Sequence, residues 1–268
     1  TNMEQVVRDM VGRSITEYYP GRTNEPGEIV LEVKNFCQEG LFNNISFKLR
    51  KGEILGVAGL MGAGRTEIMR ALFGVDSCKH GEVYLHGKKV CIKKPEDAIK
   101  AGIGFITENR KSEGLILDFS ISRNIALPSV DTFAKRSVIN AKNETAFSEA
   151  LSKKLGVKTA SIDLEAGALS GGNQQKVVIA KWIGMNPSII IMDEPTRGID
   201  VGAKRDIYDL MNELTSQGVA IIMVSSELPE VIGMSDRILV IHEGKIAGEL
   251  DHEEATQEKI ITLATGGQ

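Results

Sequence analysis

The sequence predicts an α/β fold that contains a parallel sheet, and three features of the chain lead to that prediction. Residues 189–192 and 220–224 are short apolar runs of the kind that form buried strands. Between them, residues 207–214 repeat apolar side chains at helical spacing. A glycine-rich turn, residues 59–66, joins a further apolar run to another helical segment. Strands that alternate with helices in this way imply right-handed crossovers between parallel strands.

Composition limits the classes of protein to which the chain can belong. Its 268 residues are 42% hydrophobic and 25% charged, as in a globular protein with one large or two small domains. The net charge of −4 disfavours a protein that wraps duplex nucleic acid, since such proteins carry a basic surface. The apolar runs are shorter than the roughly 18 residues of a membrane-spanning helix. Three cysteines without a CxxC spacing, and no signal-peptide pattern, favour a reducing cytoplasmic compartment.

Several segments of different character follow one another along the chain. Residues 1–27 end in a stretch rich in proline and glycine and are predicted to be a linker. The main domain, residues 28–268, opens with short β-rich runs that predict a small sheet. Residues 110–186 are predicted to be a helical insertion, because apolar residues recur there at helical spacing.

The glycine-rich turn at residues 59–66 has the composition of a phosphate-binding loop. Backbone N–H donors free of side chains, at the positive end of a helix dipole, favour a phosphate group. The hydroxyl group of Thr66 is then a candidate ligand for Mg²⁺. Arg65 stands where the GxxxxGK[ST] pattern has lysine, and its planar guanidinium group is larger than an ammonium group. We expect nucleotide binding to tolerate this change better than catalysis does. Taken alone, the same pattern also fits a glycine-rich turn between a strand and a helix that binds no ligand.

Two carboxylates end the apolar run at residues 189–192. At the C-terminal end of a parallel strand, Asp193 would face the phosphate loop and hold Mg²⁺ through water. Glu194 could accept a proton from an attacking water molecule. Acidic strand ends are common, so this prediction depends on the presence of the phosphate loop earlier in the same chain.

A further helix is predicted to begin with the segment Leu-Ser-Gly-Gly, residues 169–172. It would be a second helix N-terminus suited to a phosphate group. Because one domain has no place for two such groups on one γ-phosphate, we infer that this one serves a nucleotide bound by a partner. Without the other motifs, the same string would be a helix cap or a flexible turn.

Residues 28–268 resemble the ATP-binding cassette ATPases. The resemblance depends on three motifs in a fixed order: the phosphate loop, the LSGG segment and the MDEPT strand end. The resemblance implies a P-loop NTPase fold with a RecA-like core, an antiparallel β subdomain and an inserted helical subdomain, and two cassettes that enclose two ATP molecules head to tail. Residues 107–111, 194–204 and 224–231 look similar to the second cassette of fused carbohydrate importers of the ribose/galactose type. Residues 10–13 resemble the link between their two cassettes, which implies that the chain is the C-terminal half of a longer polypeptide.

The same resemblance implies partners and a location. The partners would be the N-terminal cassette of the same polypeptide, membrane permease subunits and, indirectly, a periplasmic or extracellular sugar-binding protein, with no nucleic acid. The location would be peripheral, on the cytoplasmic face of the cell membrane. Residues 242–244 and 255–258 look most like ribose-type members, while galactose, xylose, arabinose and autoinducer-2 remain open. The main alternative is a soluble cassette ATPase that acts on DNA, ribosomes or cluster assembly, but such a protein would need basic arms or coiled insertions that this sequence lacks. A third alternative, a P-loop kinase, is disfavoured because a kinase has no use for an LSGG segment.

The resemblance also assigns individual residues. It implies ATP and Mg²⁺ as the cofactors, with Thr66 and Asp193 as the residues that hold the metal. Catalytic positions would be Glu108, Glu194 and Ser226. The residues expected to contact ATP are Gly59, Gly62, Ala63, Gly64, Arg65, Thr66, Glu67, Ser170, Gly171, Gly172 and Asn173.

Three of these positions depart from the family pattern. Arg65 replaces a lysine, Glu108 replaces the glutamine that senses magnesium and the permease, and Ser226 replaces the histidine that stabilises the γ-phosphate. A carboxylate at position 108 would repel phosphate groups unless magnesium lies between them. Because Glu194 is retained, we expect a site that binds ATP but hydrolyses it poorly, and weak or no ATPase activity of this chain on its own.

Three aromatic residues complete the expectations. The family stacks adenine on an aromatic side chain that precedes the phosphate loop, and Phe36 and Phe42 are the candidates here. Trp182, on the helix after LSGG, is predicted to pack in the core.

Overall fold

Two main sheets and the helices around them form the part of the chain that the computed structural model describes, residues 19–21, 25–135 and 138–267. The first sheet is antiparallel. Its strands are β1 (Ile29–Gln38), β2 (Phe42–Arg50), β4 (His80–Leu85) and β5 (Lys88–Val90), in the spatial order β2–β1–β4–β5. Buried and exposed residues alternate along most of β2, as expected when one face of an antiparallel sheet lies on the core.

The second sheet contains the parallel core that the sequence predicts. Its strands are β3 (Ile54–Gly59), β6 (Ile103–Ile106), β9 (Ile189–Asp193), β10 (Ala220–Val224), β11 (Arg237–His242) and β12 (Lys245–Asp251), in the spatial order β12–β11–β3–β10–β9–β6. Every neighbouring pair is parallel except β11 with β12. Strands β9 and β10 are buried along their whole length, which is typical of parallel strands that are covered on both faces.

The helices are α1 (Arg65–Phe73), α2 (Pro95–Lys100), α3 (Ile121–Ala126), α4 (Val130–Phe133), α5 (Ala141–Lys154), α6 (Gly171–Ile183), α7 (Val201–Ser216), α8 (Leu228–Met234) and α9 (Gln257–Ala264). Most of them pack against the parallel sheet, whereas α3 and α5 pack on each other and on α6, and α4 packs on α5. A π-helical turn spans Arg110–Gly114, and 3₁₀ turns span Leu127–Ser129, Ala166–Ala168 and His252–Glu254. Among the described residues, no helix is both long and apolar enough to cross a membrane.

The insertion between β6 and β9 is mainly helical, with one element that the sequence did not predict. Strands β7 (Ala134–Lys135) and β8 (Val138–Ile139) form a short antiparallel hairpin within it. Strands of two residues are too short to show the alternation of apolar and polar side chains from which strands are predicted. The hairpin is therefore visible only in the structure.

The aromatic residues lie in the core. Trp182 packs edge-on against Phe73 with ring centroids 5.5 Å apart, which confirms its predicted place. Phe36 and Phe42 are also buried, and their rings stack on each other at 5.6 Å. Strands β1 and β2 bring the two candidates for adenine stacking together, so one face of each ring is covered by the other ring. Most of the predicted linker, including residues 10–13, lies outside the described residues.

A charged network joins the two sheets. The buried carboxylate of Glu53, between β2 and β3, accepts hydrogen bonds from the backbone N–H of Arg50 at 2.6 Å and from Arg237 Nε at 2.9 Å. Arg237, at the start of β11, also donates to the carbonyl oxygen of Lys48 at 2.7 Å and pairs with Glu249. One guanidinium group thus ties β2 to β11 and β12.

We expect Glu53→Ala to lower the free energy of unfolding by about 3 kcal/mol, because it removes the buried carboxylate of the ion pair and leaves Arg237 with only the more exposed carboxylate of Glu249. Urea denaturation followed by circular dichroism measures this change. The matched control is Glu39→Ala, which removes an exposed ion pair with Lys79 and should cost less than about 1 kcal/mol. Equal effects of the two substitutions would show that the Glu53 network does not join the sheets.

Candidate functional site

The turn between β3 and α1 leaves the start of the helix free to bind an anion. Gly64 precedes α1 with φ of +99°, a left-handed conformation that favours glycine, and no side chain caps the helix. The unsatisfied N–H groups of the first turn therefore point into the turn formed by residues 59–66. A side chain at Gly59 is excluded for a different reason, since a Cβ atom there would lie 2.4 Å from the carbonyl oxygen of Ile241. This local geometry is that of a phosphate-binding loop.

Asp193 ends β9 as a buried carboxylate beside this turn. It is 1% exposed, and neither of its oxygens accepts a well-aligned hydrogen bond. Burial raises its pKa to about 6, against the opposing effects of the Thr66 hydroxyl group and the Arg65 charge. Unpartnered carboxylate oxygens beside a hydroxyl group are a donor set that fits Mg²⁺, which takes oxygen ligands.

The described residues contain no cluster of three or more histidine, cysteine, aspartate or glutamate side chains that could hold a metal ion. A cation at Asp193 and Thr66 would therefore need further oxygen ligands from water or from a bound phosphate. That requirement agrees with Mg²⁺, which usually keeps several water molecules and binds one or two carboxylates together with substrate phosphates.

Glu194 follows in a strained conformation and contacts Ser226. Its φ is +49°, which is unfavourable for a residue with a side chain, and its backbone N–H donates to the carbonyl oxygen of Val224 at 2.9 Å. The Ser226 hydroxyl group donates to Glu194 Oε2 at 3.1 Å. Burial raises the pKa of Glu194, and the hydrogen bond from Ser226 acts in the opposite direction. The structure therefore brings together two of the three catalytic candidates.

Arg65 reaches across the same space. Its Nη1 donates to the carbonyl oxygen of Ser225, at the end of β10, at 2.8 Å. Its positive charge also lowers the pKa values of Asp193 and Glu194, although burial outweighs this effect at both residues. In this ligand-free arrangement, the guanidinium group bridges the phosphate loop and the neighbouring strand end.

Glu108, the third catalytic candidate, points toward a different partner. It forms an ion pair with Arg197, in the loop after β9, and both side chains are partly exposed. We expected its charge to repel phosphate groups unless a metal ion intervened, and the structure shows that a cation already balances it. Sequence reasoning missed Arg197, because nothing in the local pattern relates two residues that lie on different loops.

The second helix N-terminus lies at a cavity of its own. Ser170 immediately precedes α6, its side chain does not cap the helix, and its Oγ accepts a hydrogen bond from Asn173 Nδ2 at 3.0 Å. The cavity beside it is about 430 Å³, and the residues that line it are Lys158, Ser170, Gly172, Asn173, Lys176, Asp200, Gly202, Ala203 and Asp206. None of these residues belongs to the turn at residues 59–66. The two phosphate-type helix ends therefore do not share one cavity.

Close packing also limits side chains at the two glycines of this motif, more strictly at Gly172, where the neighbouring atom cannot rotate away. A Cβ atom at Gly171 would lie 2.8 Å from Arg110 Nη2, and one at Gly172 would lie 2.9 Å from the Cβ atom of Ala203. The sequence motif indicated only a phosphate contact at these positions. The structure adds a packing requirement that would hold without any ligand.

Comparisons with known proteins agree with this geometry. The ABC transporter family model matches residues 42–197. The ribose import ATP-binding proteins RbsA of Oceanobacillus iheyensis and Bacillus subtilis are 63% and 62% identical to the chain, with 100% of this chain and 54% of each relative covered. The chain thus spans about half the length of these curated relatives.

Solved structures share the fold. The ADP conformation of MJ1267, an ATP-binding cassette of an ABC transporter, superposes with a TM-score of 0.73 at 23% identity and covers 89% of this chain and 99% of that chain. A dimeric post-hydrolysis state of the cassette MJ0796 bound to ADP and Pi gives a TM-score of 0.70 at 22% identity, with 83% of this chain and 98% of that chain covered. At these identities the likeness shows the cassette fold.

We expect Asp193→Asn to stabilise the ligand-free chain. The pKa of this carboxyl group rises from 3.8 to about 6 on folding, so its ionisation above pH 6 opposes folding by up to about 3 kcal/mol. Stability from this group is therefore full below pH 3.8 and is lost as the pH rises to about 6. At pH 8, with a chelator present, the unfolding temperature of the variant should exceed that of the wild type by about 5 °C.

The control for this measurement is Asp118→Asn, which changes an exposed carboxylate and should leave the unfolding temperature unchanged. At pH 4 the wild-type chain and the Asp193 variant should differ little. An Asp193→Asn midpoint at or below the wild-type value at pH 8 would show that burial does not destabilise the charged form.

Proposed function

The chain belongs to the ABC transporter family, and we propose that it is the second ATPase cassette of a polypeptide that energises ribose import through a membrane permease. On this proposal, residues 1–27 are the link from the first cassette, residues 28–268 are the cassette, and residues 110–186 are its helical subdomain. The cassette lies on the cytoplasmic face of the membrane, against the permease subunits, and a sugar-binding protein acts through the permease. Relatives named as ribose import proteins, of which this chain matches about half, support the proposal.

One structural observation carries the proposal. Among the described residues, the helix N-termini at Gly64 and at Ser170 both lie in glycine-rich segments and lack a side-chain cap, and they do not share a cavity. A protein with a single nucleotide site has no use for the second. In a head-to-tail pair of cassettes, the second helix end completes the site of the partner cassette.

The residues of the first site are suited to Mg-ATP. The backbone of residues 59–66 would bind the phosphates, and Thr66 and Asp193 would hold the metal ion. Bound Mg²⁺ would supply charge neutralisation at the phosphate oxygens. Glu194 would orient a water molecule and accept its proton, for which its raised pKa and its hydrogen bond from Ser226 are relevant.

Hydrolysis at this first site is expected to be poor. Arg65 donates to the carbonyl oxygen of Ser225, where a lysine would be a smaller point charge. Ser226 donates to Glu194, and its short side chain offers no imidazole group to a phosphate. Glu108 is paired with Arg197. Electrostatic placement dominates phosphoryl transfer, so three altered positions together impair it.

The joint impairment predicts how repair by substitution behaves. Arg65→Lys alone should raise the steady-state ATP turnover of the chain by less than about threefold, because Glu108 and Ser226 remain unchanged. Arg65→Lys combined with Glu108→Gln and Ser226→His should raise it at least tenfold, since one misplaced electrostatic group costs about 10² or more in rate. If the single variant matched the triple variant, the site would not be jointly impaired.

Ser170→Arg tests the proposed function itself. In the complete transporter, a cation and a bulky side chain at this helix end should block closure on the partner's nucleotide and abolish ATP-driven ribose uptake into vesicles. The 268-residue chain with the same substitution should bind Mg-ATP as tightly as the wild type, with a dissociation constant in the micromolar range, about −8 kcal/mol. Ala150→Arg, on the exposed side of α5, is the matched control and should leave uptake unchanged.

Three results would count against the proposal. Absence of saturable Mg-ATP binding to the wild-type chain would contradict the first site. Uptake that persists near the wild-type rate in the Ser170 variant would contradict the composite site. Uptake of galactose, xylose or arabinose instead of ribose would contradict the sugar while leaving the cassette assignment intact.

A further inference from the structure

Arg110 belongs to the 107–111 motif, and the proposed function leaves it without a role. Its guanidinium group makes two hydrogen bonds to one loop: Nη1 donates to the carbonyl oxygen of Arg197 at 2.8 Å, and Nη2 donates to that of Gly198 at 3.0 Å. These two consecutive carbonyl groups belong to the loop between β9 and α7. A planar group with parallel donors is required to bind both at once.

The same guanidinium group also lies beside the start of α6. A Cβ atom at Gly171 would lie 2.8 Å from Arg110 Nη2 and 3.3 Å from the carbonyl oxygen of Gly198. Arg110 therefore fills the space between the loop after β9 and the helix N-terminus at Ser170. Any movement of the loop or of the helix end relative to the other would have to displace this side chain.

Stability alone is a poor explanation for a cation at this place. A positive charge near a helix N-terminus is unfavourable, because it opposes the helix dipole. In the part of the chain that the structure describes, no carboxylate forms an ion pair with Arg110, and its buried Nε has no hydrogen-bond partner. The nearby carboxylate of Glu108 pairs with Arg197 instead. Residues that destabilise the folded chain in this way are common at functional sites.

The segment that carries Arg110 is attached to α6 at its other end as well. Lys181, near the end of α6, is buried and donates from Nζ to the carbonyl oxygen of Gly114, where the π-helical turn ends. The turn Arg110–Gly114 is thus hydrogen-bonded to the last turn of α6 through Lys181, and the side chain of Arg110 packs beside the first turn of the same helix. The helix and this turn form one unit, to which the loop at Arg197 and Gly198 is joined.

We propose that Arg110 is a positioning residue that holds the N-terminus of α6 and the loop at Arg197 and Gly198 in a single arrangement. This inference rests on the proposed function, in which Ser170 and the helix N–H groups complete the nucleotide site of the partner cassette. Arg110 acts through these groups and does not itself contact the nucleotide. Loss of this side chain would release the loop and leave the space beside the helix end unfilled, so that the two could shift relative to each other, and a displacement of about 1 Å can cost about a hundredfold in rate.

The test uses steady-state ATP hydrolysis by the complete transporter with Arg110→Ala, Arg110→Lys and the control Lys111→Ala. We expect kcat to fall ten- to a hundredfold in both Arg110 variants, with KM for ATP within twofold of the wild-type value, because the partner's own phosphate loop binds ATP before the cassettes close. Lysine keeps the charge but presents its donors from one atom, so it should not rescue the rate. Lys111 is exposed, and its variant should behave as the wild type.

A second measurement separates positioning from loss of fold. Each 268-residue variant is titrated with Mg-ATP, and rates are expressed per ATP-binding molecule; if the alanine variant does not fold, the lysine variant carries the test. Wild-type kcat in Arg110→Ala, or full rescue by Arg110→Lys, would overturn the inference. If the unmodified transporter itself neither hydrolyses ATP nor imports sugar, the proposed function fails, which is a different result from a failure confined to the Arg110 variants.

Discussion

The register of three parallel strands is the constraint on which the candidate site depends. Val57 of β3 pairs with Val224 of β10, and Val224 pairs with Asp193 of β9, so the three strands end side by side. The glycine-rich turn, the two carboxylates and the serines after β10 meet at this edge for that reason alone. A change of register by one residue would turn apolar side chains of buried strands to the wrong face, so burial of the sheet also holds the site in place.

Charge balance at this edge is incomplete. Asp193 is buried and Glu194 is half-buried, and burial raises the pKa values of both carboxyl groups. Their neighbours are the half-buried side chain of Arg65 and the hydroxyl groups of Thr66 and Ser226. Burying these charged carboxylates lowers the stability of the free chain, and a bound cation would offset that loss.

The glycines of the LSGG segment satisfy two requirements at the same positions. A helix N-terminus without side chains suits a phosphate group, a Cβ atom at Gly172 would meet that of Ala203, and one at Gly171 would displace the guanidinium group of Arg110. Arg110 in turn hydrogen-bonds the loop at Arg197 and Gly198, so the helix end and this loop are neighbours of the same side chain.

The sequence by itself predicted most strands of the two sheets, the glycine-rich turn before a helix, the acidic strand end at Asp193 and the helix start at LSGG, because each of these depends on neighbours within a few residues, but it did not predict β5, β6 or β12. The hairpin of β7 and β8 lay below the length at which alternation can be recognised, and the stacking of Phe36 on Phe42 was not foreseen. Only the tertiary structure decided which charges meet: Arg65 with the carbonyl oxygen of Ser225, Ser226 with Glu194, Glu108 with Arg197, and Arg110 with Arg197 and Gly198. These contacts join residues that are far apart in the chain, and strand register and loop geometry bring them together, so no local pattern of residue types could indicate them.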